Sequence, residues 1–201
     1  MAKINDVIFI IVILLSVIYI SGCSCCGSGC DSQKAESCFP AGTKITLADG
    51  AYKPIEDIKA GDMVLSMDKD RNLVKAEVIE TEAPIRDGYY IIKLQNNEEL
   101  KVTDEHPVYI KKDDYEGWGS IIPEKALEDA KIETEAIDEG DFVFTKDKEF
   151  LNITSIEHIK EQVQTYNLKT IKKTNTFFAE GILVHNKGDY YYNDNGQTDY
   201  N

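Results

Sequence analysis

Basic residues are scarce in this chain of 201 residues, which has 22 Lys and Arg against 36 Asp and Glu and a formal net charge of -14. Because binding to the phosphates of DNA or RNA depends on clustered Lys and Arg, we set nucleic acid aside as a partner. Long apolar runs are also lacking, since the longest covers only residues 7–20, short of the roughly 20 residues that a membrane-spanning helix needs. With 42 % hydrophobic residues, the chain can form one folded domain with appendages.

The apolar run at the N-terminus, "VIFIIVILLSVIYI", follows Lys3 and has the length of a signal-peptide core. It leads into "ISGCS", which resembles the lipobox of bacterial lipoproteins and makes Cys23 the residue expected to be lipidated. The alternative is an uncleaved N-terminal anchor, because Asp6 weakens the positive flank that signal peptides prefer. Either way, residues 1–22 predict an exported protein that is held at the extracytoplasmic face of a membrane.

Cysteine is absent after position 38, and all five cysteines lie between positions 23 and 38. Once Cys23 and Cys38 are given other roles, Cys25, Cys26 and Cys30 are left as an odd number that cannot all pair with one another. This cluster lacks a second ligand pair at zinc-site spacing and has no His nearby, so we predict no metal site and no other cofactor. The Ser, Gly and Cys content of residues 23–37 is typical of a flexible tether.

From residue 43 onwards the sequence has the alternating polar and apolar pattern of β-strands. Asn96 and Asn97 suit the tight turn of a hairpin, because Asn tolerates a left-handed backbone. Two short segments, "KPIEDIKAGD" and "PEKALEDA", predict two short helices. The segment 57–70 resembles the segment 136–149, which predicts two related halves, although two unrelated strand-turn units are the alternative.

Three motifs bracket this β region: "SCFPAGTKI" at its start, "TDEH" at residues 103–106 and "GILVHN" at residues 181–186. Together they resemble the blocks of the Hint superfamily, which includes inteins, bacterial intein-like domains, the hedgehog autoprocessing domain and the Hint domains of polymorphic toxins. The resemblance implies an all-β, pseudo-twofold horseshoe with one or two short helices over residues 38–186. It is nearest to the bacterial intein-like and toxin-associated branch, and it implies autocatalytic self-processing.

At the first motif, the Cys38 thiol is a nucleophile that could attack the carbonyl of Ser37 and convert the peptide bond between them into a thioester. His106 could act as the general acid that protonates the departing amine, and Thr103 could donate a hydrogen bond to the developing oxyanion. The alternatives are a buried core thiol for Cys38 and a turn residue before Pro107 for His106.

At the last motif, the side-chain nitrogen of Asn186 could attack its own backbone carbonyl, form a succinimide and free Lys187, with His185 polarising that carbonyl. Splicing would need Cys, Ser or Thr directly after Asn186, and Lys187 lacks such a nucleophile. The sequence therefore predicts cleavage at both junctions in place of splicing, although a polar turn that ends a buried strand is the alternative. The tail, residues 187–201, has no aliphatic residue and is predicted to be disordered.

Two assisting positions differ from many inteins, because Asn167 stands where an Asp is frequent and Asn175 where a His is frequent. Asn keeps a hydrogen bond at either place but cannot take up a proton at pH 7. With water or a small thiol as the acceptor of the thioester, the domain would act once, on itself, without a stable protein partner. Two hypotheses compete: transfer of the N-terminal segment to an external nucleophile, as in the hedgehog module, and a decayed, non-catalytic domain.

Overall fold

The computed structural model describes residues 37–186, together with the backbone of two short strands at residues 191–192 and 198–199. The predicted signal peptide or anchor with Cys23, the tether up to residue 36, and Lys187 lie outside the described residues. The described part is mostly β with one α-helix, which confirms the all-β prediction. None of its helical segments is long and apolar enough to cross a membrane.

The elements follow one another along the chain, with a short 3-10 turn at Ile55–Asp57 between β3 and β4. They are β1 (Phe39–Pro40), β2 (Lys44–Thr46), β3 (Tyr52–Pro54), β4 (Met63–Met67), β5 (Leu73–Glu82), β6 (Ile85–Arg86), β7 (Tyr89–Leu94), β8 (Glu99–Val102), β9 (Val108–Lys112), β10 (Tyr115–Ser120), α1 (Pro123–Ala130), β11 (Glu135–Ala136), β12 (Phe142–Phe144), β13 (Phe150–Ile159), β14 (Val163–Ile171), β15 (Thr176–Ala179), β16 (Ile182–His185), β17 (Tyr191–Tyr192) and β18 (Thr198–Asp199).

Strands β1 to β16 form two sheets. The first has five strands in the order β1-β14-β5-β4, with β6 also paired to β14. The second has eleven, in the order β3-β2-β15-β16-β9-β12-β13-β7-β8, with β10 paired to β9 and β11 paired to β10. The predicted hairpin is β7–β8, and Asn97 in its turn has the expected left-handed backbone, with φ of 65°. Of the two predicted helices, "PEKALEDA" forms α1, which has Pro123 in its first turn. The prediction for "KPIEDIKAGD" is wrong apart from the three-residue 3-10 turn, since Lys53 and Pro54 lie in β3.

The two predicted halves have the same turn before β4 and before β12. Gly61 and Gly140 both have a left-handed backbone, with φ of 92° and 99°, which glycine adopts without strain. The N–H of each glycine donates to a carbonyl of the next long strand, at 2.8 Å and 2.9 Å. The following Asp62 and Asp141 each accept a 2.8 Å hydrogen bond from the N–H three residues upstream. These matching contacts confirm the internal repeat.

The two halves complete each other's sheets by exchanging strands. β5, the long strand of the first half, pairs with β14 of the second half. In the reciprocal pair, β13 of the second half lies against β7 of the first. Each of the two sheets therefore contains strands of both halves.

The main hydrophobic core contains residues from both sheets, and a second, smaller cluster of buried residues is separate from it. The large, fully buried side chains of the main core are Phe39, Ile45, Ile92, Leu94, Leu100, Ile110, Ile153, Leu168, Ile171, Phe177 and Ile182. The second core contains Met67, Phe144, Phe178 and Leu183, with Tyr109 and Trp118 packed against it.

We expect Phe177→Ala to lower the free energy of unfolding by about 3–5 kcal/mol, because the buried ring would leave a cavity. Its ring lies 5.8 Å from that of Phe39. Phe142 is the matched control, since it is 39 % exposed, and Phe142→Ala should cost less than about 1 kcal/mol. Urea denaturation measures both variants in a Cys38→Ala/Asn186→Ala background, where neither predicted cleavage can interfere. Equal losses would contradict the placement of Phe177 in the core.

Candidate active site

The junction between Ser37 and Cys38 lies inside the domain. β1 begins directly after Cys38 and pairs antiparallel with β14, with Phe39 opposite Tyr166. Ser37 and Cys38 are both 0 % exposed. Burial raises the pKa of the Cys38 thiol far above its usual range, so the sulfur is protonated at neutral pH. A proton acceptor is therefore needed before this sulfur can attack a carbonyl.

Thr103 fixes the backbone of the candidate nucleophile. Its hydroxyl accepts a hydrogen bond of 2.9 Å from the Cys38 N–H and donates one of 3.2 Å to the Cys38 carbonyl oxygen. The Thr103 N–H also donates to that oxygen, at 3.0 Å. These contacts hold the nitrogen that would leave when the peptide bond breaks. Donation from Thr103 to an oxyanion at Ser37 stays a prediction.

His106 lies beside the Ser37 backbone in a pocket of aromatic side chains. Its ring centroid is 4.2 Å from that of Phe39 and 6.4 Å from that of Phe177. Burial lowers the pKa of His106 to about 3, the nearby His185 lowers it as well, and the contact with the Ser37 backbone acts in the opposite direction. The ring is therefore neutral at pH 7 and must receive a proton before it can act as an acid.

The β15–β16 hairpin carries the second junction to the same place. His185 donates its backbone N–H to the Pro107 carbonyl at 2.9 Å, and Asn186 donates its own to the Asn175 carbonyl at 2.8 Å. Asn175 has a left-handed backbone, with φ of 52°, where the chain turns into β15. Because Pro107 directly follows His106, the hydrogen bond from His185 joins the two predicted junctions in one site.

The His185 ring contacts the carbonyl group that the predicted cyclisation would attack. Its Nδ1 lies 2.5 Å from the Asn186 carbonyl oxygen and can donate to it when the proton is on Nδ1. Burial lowers the pKa of His185 to about 4, and the contact with Asn186 acts in the opposite direction. Trp118 packs edge-on against the ring at 4.9 Å. Asn186 is fully buried, and neither polar atom of its side chain has a hydrogen-bond partner among the described residues.

Asn167, one of the two assisting positions, holds a carboxylate near the nucleophile. It lies opposite Glu82 on β5, and its Nδ2 donates a 3.0 Å hydrogen bond to Glu82 Oε1. The register of β1 on β14 brings Cys38 to the other side of Asn167. Glu82 on β5 and Cys38, which directly precedes β1, thus lie on either side of Asn167, and after burial the Glu82 charge contributes to the raised pKa of Cys38. The carboxylate that position 167 lacks is present on the neighbouring strand.

Three more side chains act on the pKa of the Cys38 thiol and had no role predicted from the sequence: Thr165 and Arg86 lower it, and Glu105 raises it. Arg86 forms an ion pair of 2.6 Å with the fully buried Glu105. Burial raises the pKa of Glu105 to about 8, and the adjacent Asp104 raises it too. Glu105 lies inside the "TDEH" motif, so its place near the site could have been predicted from the sequence. Arg86, on the two-residue strand β6, belongs to no motif and could not.

Asp129, in the last turn of α1, contacts the residue that precedes the nucleophile. Its Oδ2 accepts hydrogen bonds from the Ser37 N–H at 2.9 Å and from the Ser37 hydroxyl at 2.8 Å. Both residues are buried. Within residues 37–186, no group of three or more His, Cys, Asp or Glu side chains is arranged to hold a metal ion.

Comparison with known sequences gives one protein family and several hedgehog relatives. The family described as the Hint module matches residues 28–167. Sonic hedgehog protein from Xenopus laevis is 23 % identical over 138 residues, which is 67 % of this chain and 29 % of that protein. The chain therefore spans less than a third of the length of this relative.

Comparison with solved structures gives the same fold. A bacterial intein-like domain from Clostridium thermocellum matches with a TM-score of 0.61 and 25 % identity, covering 76 % of this chain and 100 % of that domain. A DnaB intein from Synechocystis sp. PCC 6803 matches with a TM-score of 0.57 and 19 % identity, covering 75 % and 98 %. The second likeness, at its low identity, concerns the fold alone.

The two buried histidines should make the folded domain less stable as the pH falls from about 6.5 towards 4. In this window the unfolded chain binds protons at His106 and His185 that the folded chain does not, so the free energy of unfolding falls. Glu105 partly offsets this fall, because the folded chain keeps the Glu105 carboxyl protonated up to about pH 8. His106→Gln should therefore flatten this loss by up to about 1.4 kcal/mol per pH unit.

Urea denaturation at a series of pH values, in the Cys38→Ala/Asn186→Ala background, measures this effect. His158→Gln is the control, because the His158 ring is exposed and stacks on Tyr90 at 4.3 Å. It retains both buried histidines and should keep the original pH dependence. A His106→Gln variant that also keeps it would contradict the neutral, buried state of His106.

Proposed function

Because the chain belongs to the Hint module family, we propose that residues 38–186 are an autoprocessing domain that cleaves its own backbone at Ser37–Cys38 and at Asn186–Lys187. The observation that carries this proposal is the meeting of both junctions in one buried site, through the hydrogen bond from His185 to Pro107. Such a domain acts once, on itself, and needs no cofactor.

In the first reaction, Cys38 Sγ attacks the Ser37 carbonyl carbon and the bond from that carbon to the Cys38 nitrogen breaks. The thiol loses one proton and the nitrogen gains one, so the N-to-S shift is balanced within the site. In this proposal a neutral His106, beside the Ser37 backbone, takes the first proton and supplies the second. Neither of its ring nitrogens has a hydrogen-bond partner among the described residues. Thr103 holds the departing nitrogen through its hydroxyl, which favours one geometry of attack.

The thioester would then be resolved by water or by a small thiol. Water yields a carboxylic acid at Ser37, and a thiol yields a new thioester there, with the Cys38 thiol regenerated in either case. If the lipobox at Cys23 is used, this step would release an exported domain from its membrane anchor. The export and the anchoring rest on the sequence of residues 1–23 alone.

In the second reaction, Asn186 Nδ2 attacks the backbone carbonyl of the same residue, and the Lys187 nitrogen leaves with a proton as the succinimide forms. His185 Nδ1 lies 2.5 Å from the oxygen of that carbonyl. A hydrogen-bond donor at this place stabilises the negative charge of the tetrahedral intermediate. Lys187 has no hydroxyl or thiol to accept an acyl group, so the two reactions give separate cleavages and no splicing.

Transfer of the N-terminal segment to an external nucleophile is the second candidate function. The similarity to Sonic hedgehog protein favours it, and the first reaction would be the same. The mass of the released N-terminal fragment distinguishes the two: a free acid at Ser37 indicates hydrolysis, and an added group indicates transfer.

We expect two independent cleavages in the full chain. Wild type should yield fragments that end at Ser37 and at Asn186, and added dithiothreitol should accelerate the first cleavage. Cys38→Ala should abolish cleavage at Ser37 only, Asn186→Ala cleavage at Asn186 only, and the double variant both. Mass spectrometry of the four proteins over time gives the result. Four full-length proteins in the presence of dithiothreitol would overturn the proposal in favour of a non-catalytic domain.

His185→Gln should slow cleavage at Asn186 by about 100-fold, the loss typical of removing one oxyanion donor, while cleavage at Ser37 continues. The matched control is His158→Gln on the exposed face of β13, which should leave both rates unchanged. The two rates are measured in the same time course. Equal slowing of both cleavages by His185→Gln would show a structural role for the ring and contradict its role at the Asn186 carbonyl.

A further inference from the structure

Asp129, which contacts Ser37, belongs to none of the three motifs and has no part in the two reactions described above. Ser37 is 0 % exposed and Asp129 is 3 % exposed. One carboxylate oxygen accepts both hydrogen-bond donors of Ser37, at 2.9 Å and 2.8 Å. Hydrogen bonds to a charged group are stronger than neutral ones, so Ser37 is held directly next to the bond that would break.

Asp129 has an unfavourable electrostatic interaction with the dipole of its own helix, α1. A negative side chain in the last turn lies at the negative end of the helix dipole, where a cation is preferred. Asp129 also lies on the buried face with Ala126 and Ala130, at the i, i+3, i+4 spacing that faces a core. A buried acid at this place is unfavourable for the helix and is offset by its contact with Ser37.

α1 is also fixed to the turn that carries Thr103 and His106. The Ile122 N–H donates to the Asp104 carbonyl at 2.8 Å, and Lys125 forms an ion pair of 2.7 Å with the Asp104 side chain. The helix is therefore positioned relative to the same turn that holds the Cys38 amide. Asp129, in the last turn of the helix, binds Ser37 on the other side of the Ser37–Cys38 bond.

We propose that Asp129 is a positioning and specificity-determining residue, which selects Ser, or Thr as its nearest equivalent, directly before Cys38 and aligns that residue's carbonyl for attack. The proposal rests on the self-cleavage proposed above. A side chain without a hydroxyl at position 37 would leave the buried carboxylate one hydrogen bond short. Ser37 is 0 % exposed, so a bulkier side chain at this position would have to displace its neighbours.

A double-mutant cycle in the full chain tests this assignment, with the rate of dithiothreitol-induced cleavage after Ser37 as the readout. Asp129→Ala should slow this cleavage at least tenfold, because both hydrogen bonds are lost. Ser37→Ala should slow it less, since its N–H still reaches Asp129. If the two residues act through each other, the double variant should be no slower than Asp129→Ala alone. Equal rates for wild type and Asp129→Ala, or additive effects, would overturn the proposal.

Conservative and matched variants separate positioning from folding. Asp129→Asn keeps an oxygen that can accept hydrogen bonds from Ser37, so it should restore most of the cleavage rate that Asp129→Ala loses. Ser37→Thr keeps the hydroxyl and should likewise restore most of the rate that Ser37→Ala loses. Glu128→Ala removes an exposed acid from the same helix and should have no effect. Cleavage at Asn186 should stay unchanged in all these variants. If Asp129→Ala loses both cleavages through misfolding, failure of Asp129→Asn and Ser37→Thr to restore the rate would count against the proposal.

A measurement that needs no cleavage tests the contact by itself. In the Cys38→Ala/Asn186→Ala background, the Ser37 amide hydrogen should exchange slowly with solvent, and Asp129→Ala should accelerate its exchange at least tenfold. An unprotected amide in the background protein would overturn the inference even if the wild type cleaves. Protection of the amide in a chain whose wild type does not cleave would overturn the proposed function and leave the binding of Ser37 by Asp129 intact.

Discussion

The reciprocal exchange of β5 and β13 between the two halves is the constraint on which the site depends. β5 lies on β14 and β13 lies on β7, and β14 also pairs with β1, which holds the first residues of the domain. The β15–β16 hairpin is held against β9 on the other sheet. Strand pairing thus brings both ends of the domain towards one site, and the contacts of Thr103 with Cys38 and of His185 with Pro107 hold them there.

Burial sets the chemistry of this site as much as it sets the fold. The same desolvation that makes a stable core keeps the Cys38 thiol protonated and both His106 and His185 neutral at pH 7. Neither a thiolate nor an imidazolium is present at the start, so protons must pass between neighbouring groups over short distances. The 2.6 Å contact between Arg86 and Glu105 lies beside this centre, and Glu105 is fully buried, which raises its pKa to about 8.

Much of the fold could be predicted from the sequence, and the site only in part. The alternation of residue types marked the strands, and the repeated Gly-Asp turns marked the two halves, because these are local properties. The motifs marked Cys38, His106 and Asn186, but not what surrounds them. Asp129 and Ser37 are 92 residues apart, so their contact depends on where α1 packs. One local signal existed, since an acid in the last turn of a helix breaks the usual preference.

Hydrolysis after Ser37 would change the electrostatic effect of the contact between Asp129 and Ser37. The intact chain presents a neutral amide to this carboxylate, whereas the hydrolysed chain would present a new carboxylate on the same residue, close to the first and shielded from water. Two like charges in such a place repel each other strongly. A residue that aligns the bond before cleavage would then expel the fragment after it, which gives the reaction a direction without any further source of energy.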